Sequence, residues 1–253
     1  MRLSLHEAEI IIKTACQVFG QATTVWLFGS RTDDALKGGD IDLFIQIPDQ
    51  TSDGSELLEK KLHFLSLLEQ DLGEQKIDVV FEQDDSRLIE QEAKTKGIKL
   101  DINEIKLTKF IHECEQHIKR INEAWSDMEA FIPLNSERYQ KLRKDEVQAL
   151  DQYLFRFAKL QDTLGDKLFP LIIQKFEGAI KSIPFLDILN KLEKFGCINS
   201  AKEWIYLRKL RNEVAHQYDD EPEAMAQAIN ALAMQKKVIE EVFRQLKQCR
   251  DNF

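Results

Sequence analysis

Cysteine is scarce: 253 residues hold four, Cys16, Cys114, Cys197 and Cys249, far apart in the chain. No Cys-x-x-Cys pair occurs and no histidine stands at metal-ligand spacing, so neither a disulfide framework nor a zinc site is indicated, and reduced thiols in a cytoplasm are expected. No stretch approaches the roughly 20 apolar residues of a membrane span, and the N-terminus, Met1-Arg2-Leu3-Ser4-Leu5-His6-Glu7, lacks the apolar core of a signal peptide. A soluble cytoplasmic protein with no membrane partner is expected. An excess of positive charge is also missing: the formal net charge is -9, which argues against a protein that coats nucleic acid. Internal repeats and low-complexity segments are absent too.

What is present suggests two domains. Hydrophobic residues make up 43% of the chain, enough for two ordinary cores. Residues 1–100 hold 11 Lys/Arg against 19 Asp/Glu, and the remainder 24 against 25, so an acidic part precedes a nearly neutral one. The first part alternates helix-like and strand-like segments. Residues 5–19, 55–72 and 86–96 read as helices, and Thr24–Phe28, Asp40–Ile47, Ile77–Phe81 and a short segment at 98–100 read as strands. Beyond about residue 103 the pattern is helical. Phe110, Cys114, Ile118, Ile121, Trp125, Met128 and Ile132 form an apolar stripe stopped at Pro133, and Val147, Leu150, Leu154, Phe157, Leu164 and Leu168 form another, closed by Pro170. Helices near 173–182, 185–195 and 200–217 follow, then a long one marked by Met225, Ile229, Leu232, Ile239, Val242 and Leu246. The expected fold class is α+β: a domain at 1–102 with a small mixed sheet and flanking helices, then an all-α bundle of four or five helices at 103–253.

The chemistry concentrates on acidic residues. In Asp40-Ile41-Asp42-Leu43-Phe44-Ile45-Gln46-Ile47, period-2 alternation puts Ile41, Leu43, Ile45 and Ile47 on one side and both carboxylates on the other, about 7 Å apart along the strand. Alone, such a pair could be a solvated strand face. Gly29-Ser30, however, ends the preceding strand, where a glycine lets backbone approach a ligand and a serine hydroxyl with adjacent N–H groups can grip phosphate. Asp78 lies on the next strand and can reach the same edge. Attack on an α-phosphate needs charge neutralised on the leaving pyrophosphate and an activated hydroxyl held in line; two cations about 3.5–4 Å apart meet the first need, and a ligating carboxylate that accepts a proton meets the second. Arg31 is left open between a phosphate contact and a structural ion pair.

Gly29-Ser30-Arg31, then Gly39-Asp40-Ile41-Asp42-Leu43, then Asp78, resembles the minimal nucleotidyltransferases of the DNA polymerase beta superfamily over roughly the first 100 residues. Nine residues separate Ser30 from Asp40, one fewer than that family commonly has. The resemblance implies that Asp40, Asp42 and Asp78 bind two Mg²⁺ ions and do the catalysis, that Gly29 and Ser30 bind the triphosphate, with Arg31 a candidate beside them, and that ATP is the co-substrate.

A second pattern lies in Arg211-Asn212-Glu213-Val214-Ala215-His216-Gln217-Tyr218 near a helix end. A histidine there could exchange protons with a 2′-hydroxyl or leaving oxygen, and an arginine could stabilise charge on a phosphorane. Lys202, Arg208 and Lys209 add charge suited to RNA phosphates. Arg-x₄-His-x-Tyr resembles the HEPN family, which includes ribonuclease toxins, over about residues 104–250. The resemblance implies a metal-independent RNase site at Arg211 and His216 acting on tRNA or mRNA, a homodimer through the helical domain, and Tyr218 as acceptor of AMP from the nucleotidyltransferase, as in toxin and antitoxin pairs. Two other readings compete. One is a small-molecule nucleotidyltransferase resembling aminoglycoside-modifying enzymes, with the bundle as substrate-binding or dimerisation module; the other makes the bundle a binding module without chemistry. His6, His63, His112 and His117 are expected at helix surfaces or boundaries, and Trp26, Trp125 and Trp204 in cores.

Overall fold

The computed structural model describes residues 1–33, 35, 38–48, 54–83, 87–178, 183–216 and 221–251, the side chain of His216 excepted. The chain divides into two compact units, Met1–Lys106 and Leu107–Phe253.

The first unit opens with α1 (Leu5–Phe19), whose start is set by a capping box: Glu7 N–H donates to the Ser4 hydroxyl and Ser4 N–H to the Glu7 carboxylate. There follow β1 (Thr24–Phe28), a 3₁₀ turn (Gly29–Thr32), β2 (Ile41–Gln46), α2 (Gly54–Leu72), β3 (Ile77–Phe81), α3 (Leu88–Lys96) and β4 (Ile98–Lys99). The strands form one mixed sheet in the order β3-β2-β1-β4, with β1 antiparallel to both neighbours and β2 parallel to β3.

Alternation along the strands gives the sheet two unlike faces. Val25, Leu27, Ile41, Leu43, Ile45, Val79 and Phe81 are buried in one cluster with Ile11 of α1 and Phe64 and Leu68 of α2. The opposite face carries Trp26, Phe28, Phe44 and Val80, packed with Ala93 of α3 in a much smaller cluster. Asp42 and Asp78 share the period of this second face, on which Ala93 of α3 packs.

The second unit is helical: α4 (Ile102–Met128, its first turn belonging to the first unit), α5 (Ser136–Gln140), α6 (Lys144–Asp162), a π-helical turn (Thr163–Leu168), α7 (Phe169–Glu177), α8 (Phe185–Lys194), α9 (Ala201–His216), α10 (Pro222–Met234) and α11 (Lys236–Asp251). The class is α+β, as the sequence patterning predicts. The stripe on α4 is a core face: Cys114, Ile121 and Met128 are buried, and Phe110, Ile118, Trp125 and Ile132 pack against the same cluster. Trp204 is buried at its centre, 4.5 Å from Phe169 between ring centroids, while Trp26 and Trp125 are only partly buried.

The helical part departs from expectation in five places, the first being that the described residues form eight helices, α4 to α11, where four or five were expected. Val147 is exposed and outside the core. Pro170 does not close a helix; it occupies the first turn of α7, which runs on from the π-helical turn without a break. The expected long last helix is two, because Gln235 turns out of the helix with ψ 2° and α11 restarts behind it. Cys197 and Cys249, expected as reduced thiols, form a disulfide; their Cα atoms lie 5.4 Å apart across 52 residues of sequence, a proximity invisible in their spacing. Among the described residues, no helix is long and apolar enough to cross a membrane.

Candidate active site

The parallel register pairs Asp42 with Asp78, and the antiparallel one pairs Asp42 with Phe28, the residue before the Gly29 bend. Two carboxylates thus sit side by side at the end of β1 where the chain turns. Gly29 has φ +70°, a conformation that side chains rarely adopt, and a Cβ there would stand 2.2 Å from an Asp42 carboxylate oxygen. Glycine is required twice over, by backbone conformation and by the carboxylate resting on it. Ser30 faces Gly38, where an added Cβ would come within 2.1 Å of the Ser30 hydroxyl.

Asp40 immediately precedes β2, and the segment leading to it is fastened by two arginines. Arg31 donates to the Gly39 carbonyl through Nε and an η nitrogen (3.2 and 2.6 Å), reaches the Arg2 carbonyl, and forms an ion pair with Glu7 at 3.5 Å. Arg2 donates to the carbonyls of Gly38, Ser30 and Asp33. Of the two roles the sequence leaves open for Arg31, this geometry is that of the ion pair and loop clamp. Glu7 therefore serves both the α1 cap and this clamp, and its carboxyl is held below the ordinary range against the opposing effect of burial, by the Ser4 and Arg31 contacts.

Electrostatics ties the acidic residues together. Burial first, then the Asp78 and Asp40 charges, push the Asp42 carboxyl above its usual range, while Lys76 and Arg31 pull the other way. Lys76, which the motif does not include, holds its ammonium 2.5 Å from Asp40 and 3.4 Å from Asp78. It begins the chain that enters β3, and its carbonyl accepts the Ile41 N–H at 2.9 Å. Among the described residues no three His, Cys, Asp or Glu side chains are grouped to hold a metal ion. The donor chemistry nevertheless suits a hard divalent cation: the donors are carboxylates only, and the mutual repulsion felt at Asp42 is what such a cation relieves.

The second constellation is placed differently. Arg211 donates to the Gln161 side-chain carbonyl and to Asp162, both at 3.1 Å, joining α9 to the end of α6. Tyr218 and the His216 side chain lie outside the described residues, so the geometry of the Arg-x₄-His-x-Tyr set is not part of the picture. Lys209 pairs with Glu213 at 3.5 Å and Arg208 stacks 4.9 Å over Phe185, with Asn212 completing an open groove of about 550 Å³. His117, expected at a surface or boundary, is buried; its Nε2 lies 3.8 Å from Glu113, a carboxylate that also accepts from Thr163 and Lys167.

Residues 8–124 match the family model described as a nucleotidyltransferase domain. No curated protein and no solved structure matches the chain. The match takes in the Gly29-Ser30 bend and Asp40, Asp42 and Asp78 alike, so over residues 8–124 the chain is similar to nucleotidyltransferase domains.

Proposed function

We propose that this domain is a Mg²⁺-dependent adenylyltransferase in which Asp40, Asp42 and Asp78 hold the metal and ATP lies against the Gly29-Ser30 bend. The observation that carries this reading is the Asp42 carboxylate seated on Gly29 with Asp78 beside it in register. Bound Mg²⁺ would supply the positive charge that a triphosphate and a leaving pyrophosphate require. The chain's own residues do the rest. Gly29, lacking a side chain, leaves backbone open to the phosphates, and the Ser30 hydroxyl is available to them as a donor. Arg31 and Arg2 keep the segment before Asp40 in place, and a carboxylate of the trio accepts the proton of the attacking hydroxyl.

The acceptor in this proposal is Tyr218. Its phenolic oxygen bonds to the α-phosphorus as the bond to the β-phosphate oxygen breaks, leaving AMP on the tyrosine and releasing pyrophosphate. The modification restrains an RNase site of HEPN type built on Arg211 and His216, acting on tRNA or mRNA in a homodimer. The sequence resemblance in Arg211-x₄-His216-x-Tyr218 supports this half of the reading. Incubation with ATP and Mg²⁺ followed by intact-mass and peptide mass spectrometry tests it: increments of AMP on the peptide containing Tyr218 are expected, and an unmodified chain after exhaustive incubation contradicts the assignment.

One observation favours a second reading. Arg211 is engaged by Asp162 and Gln161, as a structural arginine would be, and the neighbouring groove offers Phe185, Arg208 and Asn212 to a ligand. A small-molecule nucleotidyltransferase with the bundle as substrate-binding or dimerisation module fits those facts. With α-labelled ATP, label then appears on an added acceptor such as an aminoglycoside and not on the protein.

A further inference from the structure

At the proposed metal site Asp42 and Asp78 stand side by side in register, and a positive side chain, Lys76, already links Asp78 to Asp40. Lys76 reaches Asp40 and Asp78 but not Asp42. Its position is fixed by the sheet: the Lys76 carbonyl takes the Ile41 N–H, which sets the residue beside the start of β2, and it precedes Asp78 by two on one side of the chain. The ammonium bridges the two outer carboxylates, which are the groups a cation must gather.

The contact is strong in geometry and weak in holding power. Lys76, Asp40 and Asp78 are 65%, 45% and 56% exposed in their side chains, and ion pairs so open to water add little stability. Lysine also carries its charge on a flexible four-carbon stem with no fixed fork geometry. A dication placed among the same carboxylates would stand within a few ångströms of the ammonium and repel it. Arg31, the other cation near Asp42, is committed to the Gly39 carbonyl and to Glu7 and stays where it is. Among the described residues the cation held by Asp40 and Asp78 is Lys76, and the polyphosphate of an incoming nucleotide is the anion it would meet.

We infer that Lys76 is an intramolecular counter-ion that competes with the metal for Asp40 and Asp78 and transfers to the nucleotide's phosphates once displaced. Metal and nucleotide then favour each other's binding, and by linkage the effect is reciprocal. Metal alone must evict the lysine without compensation, whereas metal with nucleotide gives the lysine a new partner. The inference rests on the proposed reading of the carboxylate site and adds to it a residue that discourages loading with metal before nucleotide.

Calorimetric or paramagnetic titration with Mn²⁺ tests this on the full chain, with and without α,β-methylene-ATP, for wild type, Lys76→Met, Lys76→Arg and Asp42→Asn. Lys76→Met is expected to bind Mn²⁺ alone about fivefold more tightly, and to bind the analogue at saturating Mn²⁺ about fivefold more weakly. Lys76→Arg, which keeps the charge and adds a fork that grips carboxylates, should bind Mn²⁺ alone no more tightly than wild type. Mn²⁺ affinity unchanged or lowered in Lys76→Met, or both affinities shifted in the same direction, overturns the role of Lys76. If Asp42→Asn meanwhile abolishes Mn²⁺ binding, the carboxylate site stands and only the lysine's role fails. Undiminished Mn²⁺ binding by Asp42→Asn, or no binding by wild type, overturns both.

Discussion

Asp42 carries the most information of any single residue. Its folded-state carboxyl is raised, by burial foremost and then by Asp78 and Asp40, so the folded protein holds that proton more tightly than the unfolded chain. The associated stability is fully present below the unfolded carboxyl pKa and is lost as pH rises through the raised value. At neutral pH the ionised group therefore opposes folding. Partial solvent screening keeps the effect small. Asp42→Asn is expected to raise Tm at pH 7 by about 2 °C, measured by calorimetry, while metal-dependent activity disappears. A fall in Tm would mean that Asp42 is held by favourable contacts instead. Asp42, Asp78 and Gly29 were legible because strand alternation and a glycine-serine bend are local signals. Lys76 was not: a lysine two residues before an aspartate reads as an ordinary wet strand edge, and its approach to Asp40 depends on the β2/β3 register, which no local pattern encodes.

Elements show the same division. β1, β2 and β3 stand where apolar alternation puts them, and α1 starts at its Ser4 capping box, both consequences of neighbours in sequence. The clamp between α1 and the segment before Asp40 is long-range, joining Glu7 to Arg31 and Arg31 to Gly39. Arg31→Ala removes that clamp but no carboxylate, so turnover is expected to fall by about tenfold or more with Mn²⁺ affinity little changed, as when a reacting group is merely misplaced. Loss of Mn²⁺ binding in that variant would contradict the division of roles.

Within the bundle, the π-helical turn puts Gly165 under Trp204, where a Cβ would approach the indole to 3.1 Å. The ring is fully buried against Phe169 and has little room to yield. Gly165→Ala gains about 0.5–1 kcal/mol in helix propensity, but overpacking costs about 1–3 kcal/mol. Net destabilisation of about 1 kcal/mol is expected from urea unfolding. Here the sequence misled: Pro170 looks like a stop and is a first-turn proline, and the seven-residue spacing from Leu232 to Ile239 suits an unbroken helix although Gln235 breaks it.

At the scale of the whole molecule, an acidic sheet unit and a helical unit follow one another, each with its own buried cluster. The disulfide escapes a reading of the sequence, because Cys197 and Cys249 meet only through the path of the bundle between them. Thiol titration of denatured, unreduced protein is expected to find two free cysteines, Cys16 and Cys114, and four after reduction. Reduction should lower stability by about 3 kcal/mol, since the bridge closes a long loop of the unfolded chain; four thiols before reduction would show the pair open in solution.

The central claim is that the acidic residues beside the Gly29 bend hold the cation against which a nucleotide reacts. Crystals grown with Mn²⁺ and α,β-methylene-ATP test this directly through the anomalous signal of manganese. The expected map has its strongest peak among Asp40, Asp42 and Asp78, with the nucleotide's phosphates beside Gly29 and Ser30. Manganese bound elsewhere, or a nucleotide bound with those carboxylates empty, would contradict the account.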